Sequence, residues 1–137
     1  MYKLITQEML ENLKTQAASA PKKRARIELH NNHGEVQEMV ICLLKDSYVR
    51  AHMHPIGKAE SYHVIEGELD AWLYGAYGDV KNIIRLGPQS PLYRLDGGIY
   101  HAPVCVSDYV IYHEVYPGPW VKDIDVQYAP WAREESV

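Results

Sequence analysis

The chain opens on a helical pattern and then changes period. Met9, Leu10, Leu13 and Ala17 recur at helical spacing and form one apolar stripe. Thr6 stands where a helix wants an N-cap oxygen. The stripe fades over 17–20, and Pro21 ends it. From residue 27 the pattern is that of strands. Glu38–Leu44 holds Met39, Val40, Ile41, Cys42, Leu43 and Leu44 in one unbroken apolar run. Tyr48–His54 reads as a second strand. Tyr62–Ile65 and Leu69–Tyr74 flank Glu66-Gly67-Glu68, which predicts a hairpin. Val80–Leu86 follows a turn at Ala76-Tyr77-Gly78-Asp79, and Gly87-Pro88 breaks the chain. Leu92–Leu95, His101–Val106 and Val110–Tyr116 complete the set, separated at Asp96-Gly97-Gly98 and Ser107-Asp108. Short strands with turn signals every 8–12 residues or so predict a β-sandwich or barrel. Past Tyr116, Pro117-Gly118-Pro119 opens an irregular tail carrying Trp120 and Trp131.

A length of 137 residues suits one domain with a core of its own. The expected organisation is a helix and basic connector over 1–26, a barrel over 27–116, and a tail over 117–137 packed on the barrel. Apolar residues make up 47% and charged residues 23%, a globular balance. The 14 basic and 18 acidic residues leave a net charge of −4, which argues against general nucleic-acid binding. Lys22-Lys23-Arg24-Ala25-Arg26 is too short a basic run to reverse that, and reads as a solvated connector. Eleven Tyr and three Trp, with no Phe, suit half-buried β walls. The two cysteines, Cys42 and Cys105, make no disulfide framework. With no signal-peptide pattern and no membrane-length apolar run, the expected compartment is the cytoplasm.

Seven histidines change the picture, because of where they fall. His52 and His54 are two apart, so on a strand they project to one face. A loop of five residues then delivers Glu60, and Gly67 turns the chain. His101 enters a later strand within Gly98-Ile99-Tyr100-His101. Three imidazoles and one carboxylate suit a divalent transition metal; calcium would want more oxygens. The expected ligands are His52, His54, Glu60 and His101, holding one ion of Zn, Fe, Mn, Ni or Co. A barrel that has lost its metal and kept these residues for packing is the alternative.

These residues resemble the two motifs of the cupin superfamily. His52, His54, Glu60 and Gly67 match the first motif. Asp96, Gly98, His101 and Cys105 fall on the second, with Asp96 where the family has Pro and Cys105 where it often has Asn. The gap from His54 to Glu60 is one residue longer than usual. A wider likeness is to the WbuC family of small cupin-fold metalloproteins. It rests on Leu4-Ile5-Thr6, Ala20–Arg26, Leu29-His30, Tyr48-Val49-Arg50, Pro117-Gly118-Pro119 and Ala129-Pro130-Trp131-Ala132. The resemblance implies a mainly β, single-domain cupin, a double-stranded β-helix or jelly-roll barrel with a short N-terminal helix. It also implies a homodimer paired through edge strands or terminal segments, and an association with O-antigen and polysaccharide genes.

A divalent ion with three neutral imidazoles and one carboxylate keeps about one positive charge, which favours an anionic or carbonyl oxygen. The expected partner is a small molecule, anionic or sugar-like. Strand alternation puts Arg50 on the face of His52, where it anchors a carboxylate or lies solvated past the rim. Tyr48 continues that face as a substrate contact or as core filler. Tyr62 shares the parity of Glu60 and is either a proton donor or packing. Cys105 shares the parity of His101 and lines the pocket or fills the core. His63 has the opposite parity and points outward. Three functions follow: Lewis-acid isomerisation or epimerisation of a sugar or sugar nucleotide, iron-dependent dioxygenation, and non-catalytic ligand binding.

Overall fold

The computed structural model describes residues 1–31 and 33–135. Helix α1 spans Gln7–Ser19. Thr6 caps it, its Oγ1 accepting from the Met9 N–H at 3.2 Å. Leu10, Leu13 and Ala17 form the buried face. Strands follow at β1 (Arg24–Glu28), β2 (Val36–Leu44), β3 (His52–Met53) and β4 (Glu60–Tyr74). β5 (Val80–Leu86), β6 (Leu92–Leu95), β7 (Tyr100–Pro117) and β8 (Gln127–Tyr128) complete the fold. One sheet path runs β1-β2-β7-β3-β8, and β4 joins it through β7 while also pairing β5 and β6.

The apolar run of β2 is explained by two covered faces. Val40 and Cys42 pack with Leu10, Leu13 and Ala17 beneath α1. Met39, Ile41 and Leu43 alternate with them and face a cavity inside the barrel. The basic run is not all connector: Arg24–Glu28 forms β1, with Arg24 paired to Leu43 and Arg26 to Ile41. The same alternation sends Ala25 and Ile27 toward α1.

The predicted hairpin at Glu66-Gly67-Glu68 does not form. β4 runs on from Glu60 to Tyr74 against β7, which likewise does not break at Ser107-Asp108. The register of this pair shifts between Val64 and Glu66 and again between Gly67 and Leu69. Gly67 has φ +82°, and a Cβ there would run into the Tyr109 carbonyl. The glycine makes a bulge rather than a reversal. The bulge changes parity: the buried residues are Glu60, Tyr62 and Val64 before it, and Leu69 and Ala71 after it. In β7 the side facing the barrel interior moves from His101 and Cys105 to Val110, Tyr112 and Tyr116, while Ala102 and Ile111 are buried in other clusters. Both strands thereby keep an inner face on each side of a bend.

The strand expected over Tyr48–His54 is also shorter. Only His52–Met53 pairs, held between β7 and β8 by the partners His101 and Tyr128. The tail is not wholly irregular, because Gln127–Tyr128 forms that outer strand. Ala129 packs with Ala51 and Ala102, and the Ala129 N–H donates to the Ala51 carbonyl at 2.9 Å. Among the described residues, no helix is long and apolar enough to cross a membrane.

Candidate metal centre

β3, the loop after it, the first residue of β4 and the second residue of β7 bring four side chains together. The ring centroids of His52 and His101 lie 4.6 Å apart, those of His54 and His101 5.2 Å, and those of His52 and His54 5.4 Å. One ligand atom from each imidazole falls within 4.8 Å of the others. Glu60 reaches this cluster across the loop 55–59, which turns at Gly57 with φ +91°. The Gly98 N–H clamps the His54 carbonyl at 2.7 Å. Glu60 Oε2 lies 2.7 Å from His54 Nε2, and Oε1 lies 2.6 Å from His101 Nε2.

The hydrogen bonds of the rings fix their tautomers. His52 Nδ1 faces the Arg50 carbonyl at 2.8 Å, His54 Nδ1 the Asp125 carbonyl at 2.6 Å, and His101 Nδ1 the Ile99 carbonyl at 2.9 Å. A carbonyl can only accept, so each Nδ1 carries the proton and each Nε2 offers a lone pair. Glu60 Oε1 and His101 Nε2 are then two buried acceptors face to face, and neither has a hydrogen-bond partner. Such a pair needs a cation or a proton between its members. Ligands at about 2.0–2.2 Å from a transition ion sit roughly 3 Å apart when adjacent, so small shifts seat one here. The residues present therefore fit a divalent transition ion in an N3O set.

Electrostatics act differently on each of these donors. Burial, then the neighbouring His101, pushes His52 down to about 4, so it is neutral and ready to ligate at ordinary pH. Burial opposes charge on His54, but the Glu60 carboxylate outweighs it and raises the imidazole. Burial likewise works against ionised Glu60, yet His101 and His54 hold its carboxyl well below the usual range.

The cluster opens on a cavity of about 380 Å³. Its walls are largely aliphatic and aromatic, with Met39, Ile41, Tyr62, Tyr112, Tyr116 and Trp120 among them. Glu114 also lines it, and burial together with the Glu60 charge pushes that carboxyl up to about 8. Arg24 and Arg26 reach the cavity from β1, Arg24 while bonded to Glu135 at 2.6 Å.

Of the other candidate site residues Tyr48, Arg50, Tyr62 and Cys105, Tyr62 alone lines this cavity, its ring against Tyr93 and Tyr112 at 5.2 and 4.9 Å. Arg50 does not: its guanidinium lies 4.8 Å from the Tyr128 ring and donates to the Ala129 carbonyl. Tyr48 donates to the Arg133 carbonyl at 2.8 Å, under the Arg133 guanidinium. Residues 48–51 are not strand, so the alternation carried back from His52 fails for both. Cys105 is core, packed with Leu43, Leu69 and Val110. His63 is exposed, as its parity predicted. Sequence reasoning missed Glu114, although it alternates with Tyr112 and Tyr116; the parity change at the bulge hid that it faces inward. It also missed Asp125, for which the tail offers no periodic signal.

Comparisons with known proteins bear on this geometry. No protein of curated function matches the chain. Among solved structures, the L-ribose isomerase of Cellulomonas parahominis superposes with a TM-score of 0.63 at 15% identity, covering 77% of this chain and 69% of that one. The Cupin_2 domain of an XRE family transcriptional regulator from Enterobacter cloacae gives 0.57 at 22% identity, covering 71% and 98%. An oxalate oxidase in complex with the substrate analogue glycolate gives 0.58 at 17% identity, covering 82% of this chain and 58% of the oxidase. At these identities the likeness establishes the cupin fold alone. The family model described as "Domain of unknown function (DUF6016)" matches residues 5–86, more than half of the chain. The chain belongs to the DUF6016 family, and it carries a cupin barrel with a three-histidine group able to hold a metal.

Proposed function

We propose that this protein binds one divalent transition metal through His52, His54, Glu60 and His101 and presents it to a small anionic or sugar-like molecule in the barrel. The observation that carries this reading is the grouping of three imidazoles, each with its Nδ1 proton given to a carbonyl, beside a buried carboxylate whose Oε1 has no hydrogen-bond partner. When bound, the ion supplies Lewis acidity toward a substrate oxygen. Glu60 offsets one of its two charges and leaves about one positive charge for an anionic oxygen. Tyr62 and Glu114 stand on the cavity wall. Burial raises both the Tyr62 phenol and the Glu114 carboxyl, which favours their protonated, hydrogen-bond-donating forms. The apolar walls keep water from competing for those contacts.

The reaction class we favour is isomerisation or epimerisation, which needs a polarised carbonyl or hydroxyl and a nearby proton donor. The L-ribose isomerase relative gives that chemistry a precedent on this fold. The WbuC resemblance adds polysaccharide metabolism as its setting. Cobalt-loaded protein titrated with glycolate tests whether the metal has an open position facing the cavity. A change in the visible spectrum that saturates is expected. An unchanged spectrum would mean a closed, structural site and would contradict the proposal. Turnover of an aldose to a ketose by the loaded protein supports the isomerase class. Oxygen-dependent turnover with iron alone moves the assignment to a dioxygenase, and tight ligand retention without turnover to a binding module.

A further inference from the structure

The three histidines are not held alike. His52 and His101 each donate to a carbonyl two residues earlier on their own segment, so the stretch of chain that leads into the ring also orients it. His54 donates instead to the Asp125 carbonyl, 71 residues further along the chain. Its orientation depends on the docking of the tail, whose strand pairing is limited to Gln127–Tyr128.

Asp125 is fully buried, and its carboxylate is the hub of that docking. Oδ1 accepts from Lys58 Nζ at 2.7 Å and from the Tyr116 hydroxyl at 2.5 Å. Oδ2 accepts from the Val121 N–H at 2.5 Å, and the Asp125 N–H donates to the Val121 carbonyl at 2.9 Å. The Tyr116 ring packs on His54 with centroids 4.5 Å apart. Lys58 belongs to the loop that leads from His54 to Glu60. One carboxylate thus ties together the tail, the aromatic wall of His54 and the loop that delivers Glu60.

We infer that Asp125 is a positioning residue of the metal centre, fixing the tautomer of His54 and the placement of the Glu60 loop. The part of this inference that concerns affinity rests on the metal-binding reading above. All three groups around the carboxylate are donors, so both oxygens must accept. Asp125→Asn turns one acceptor into an amide donor that faces a donor. The segment shifts, the carbonyl leaves His54 Nδ1, and the proton is free to move to Nε2, the atom that ligation needs bare. Partners of this kind carry about 10–100-fold in metal affinity.

The test compares Asp125→Asn and Lys58→Met with the wild type in two measurements. In metal-free protein above neutral pH, long-range proton–nitrogen NMR reads each histidine tautomer. The expected result is His54 wholly Nδ1–H in the wild type and mixed in the variants, with His52 and His101 unchanged. Competition titration with zinc should then show affinity weakened by about 10–100-fold in Asp125→Asn. A folded Asp125→Asn protein with the wild-type tautomer and zinc affinity overturns the inference. If that variant does not fold, Lys58→Met carries the test, because it removes one donor from a half-buried side chain; wild-type values in both measurements would overturn the inference. A wild type that binds no zinc overturns the metal-binding reading instead, and the tautomer shift then decides the positioning role by itself.

Discussion

Glu60 is only 2% exposed, yet it lies within hydrogen-bond distance of two imidazole nitrogens whose lone pairs point toward it. In the proposed account its negative charge serves the metal. Glu60→Gln keeps the shape and offers an amide N–H to an imidazole acceptor, so the metal-free fold should persist. Zinc affinity should fall by no less than the roughly 10–100-fold that outer partners carry. Thermal melts of metal-free protein and zinc competition, run side by side, check this split. Equal zinc affinity in the variant would remove Glu60 from the ligand set. The cysteines give a second prediction. Burial pushes both Cys42 and Cys105 up to about 11, so neither supplies appreciable thiolate at neutral pH. Iodoacetamide should leave both unlabelled in the folded protein and label both after unfolding, as mass spectrometry would show. Rapid labelling of folded Cys105 would mean that it opens onto the cavity after all.

At the scale of elements, the β4–β7 ribbon and the tail do most to shape the site. Gly67→Ala forces a Cβ against the Tyr109 carbonyl at a positive φ, so it should cost more than the ~1 kcal/mol of an ordinary glycine replacement. Urea denaturation measures it, and an unchanged midpoint would contradict the bulge. The end of the tail is held by charge. Burial works against an ionised Glu135, but Arg24, the Arg50 N–H and Lys22 lower its carboxyl below the usual 4.5. A lowered carboxyl stabilises the folded state fully above its unfolded value and loses that contribution as pH falls through the folded one. Residues 132–135 should therefore detach as pH drops below about 4.5, read by their amide NMR shifts, and Glu135→Gln should abolish the step. How much was legible in the sequence differs by element for physical reasons. α1, β5 and β6 lie within a residue or so of their sequence-based bounds, because stripe, cap and turn residues are all local signals. The hairpin at Gly67 failed because glycine at positive φ marks a bulge as well as a turn, and only the distant partner Tyr109 decides which. Arg50 and Tyr48 failed because alternation was carried back into residues that are not strand.

For the whole molecule, the histidine pair at a spacing of two makes the three-histidine group legible in the sequence, since both residues fall on or beside the short strand β3. The single-domain barrel followed from the spacing of turns. The tail's part in the centre was not readable, because Asp125 acts through one carbonyl and a buried carboxylate with no periodic signature. Association also belongs to this scale. β5 pairs only with β4 among the described strands, and Val80 and Ile83 on it are exposed. A bare edge of this kind invites a second chain. A homodimer is the expected state, with Ile83→Lys shifting it toward monomer; light scattering that gives a clean monomer for the wild type at micromolar concentration would contradict it. The central claim is the metal, and elemental analysis of untagged protein purified without chelator tests it most directly, alongside a His52→Ala/His101→Ala double variant. About one transition-metal ion per chain in the wild type and none in the variant is the result this account predicts. A wild type that stays metal-free after reconstitution, or a variant that keeps its ion, would contradict it.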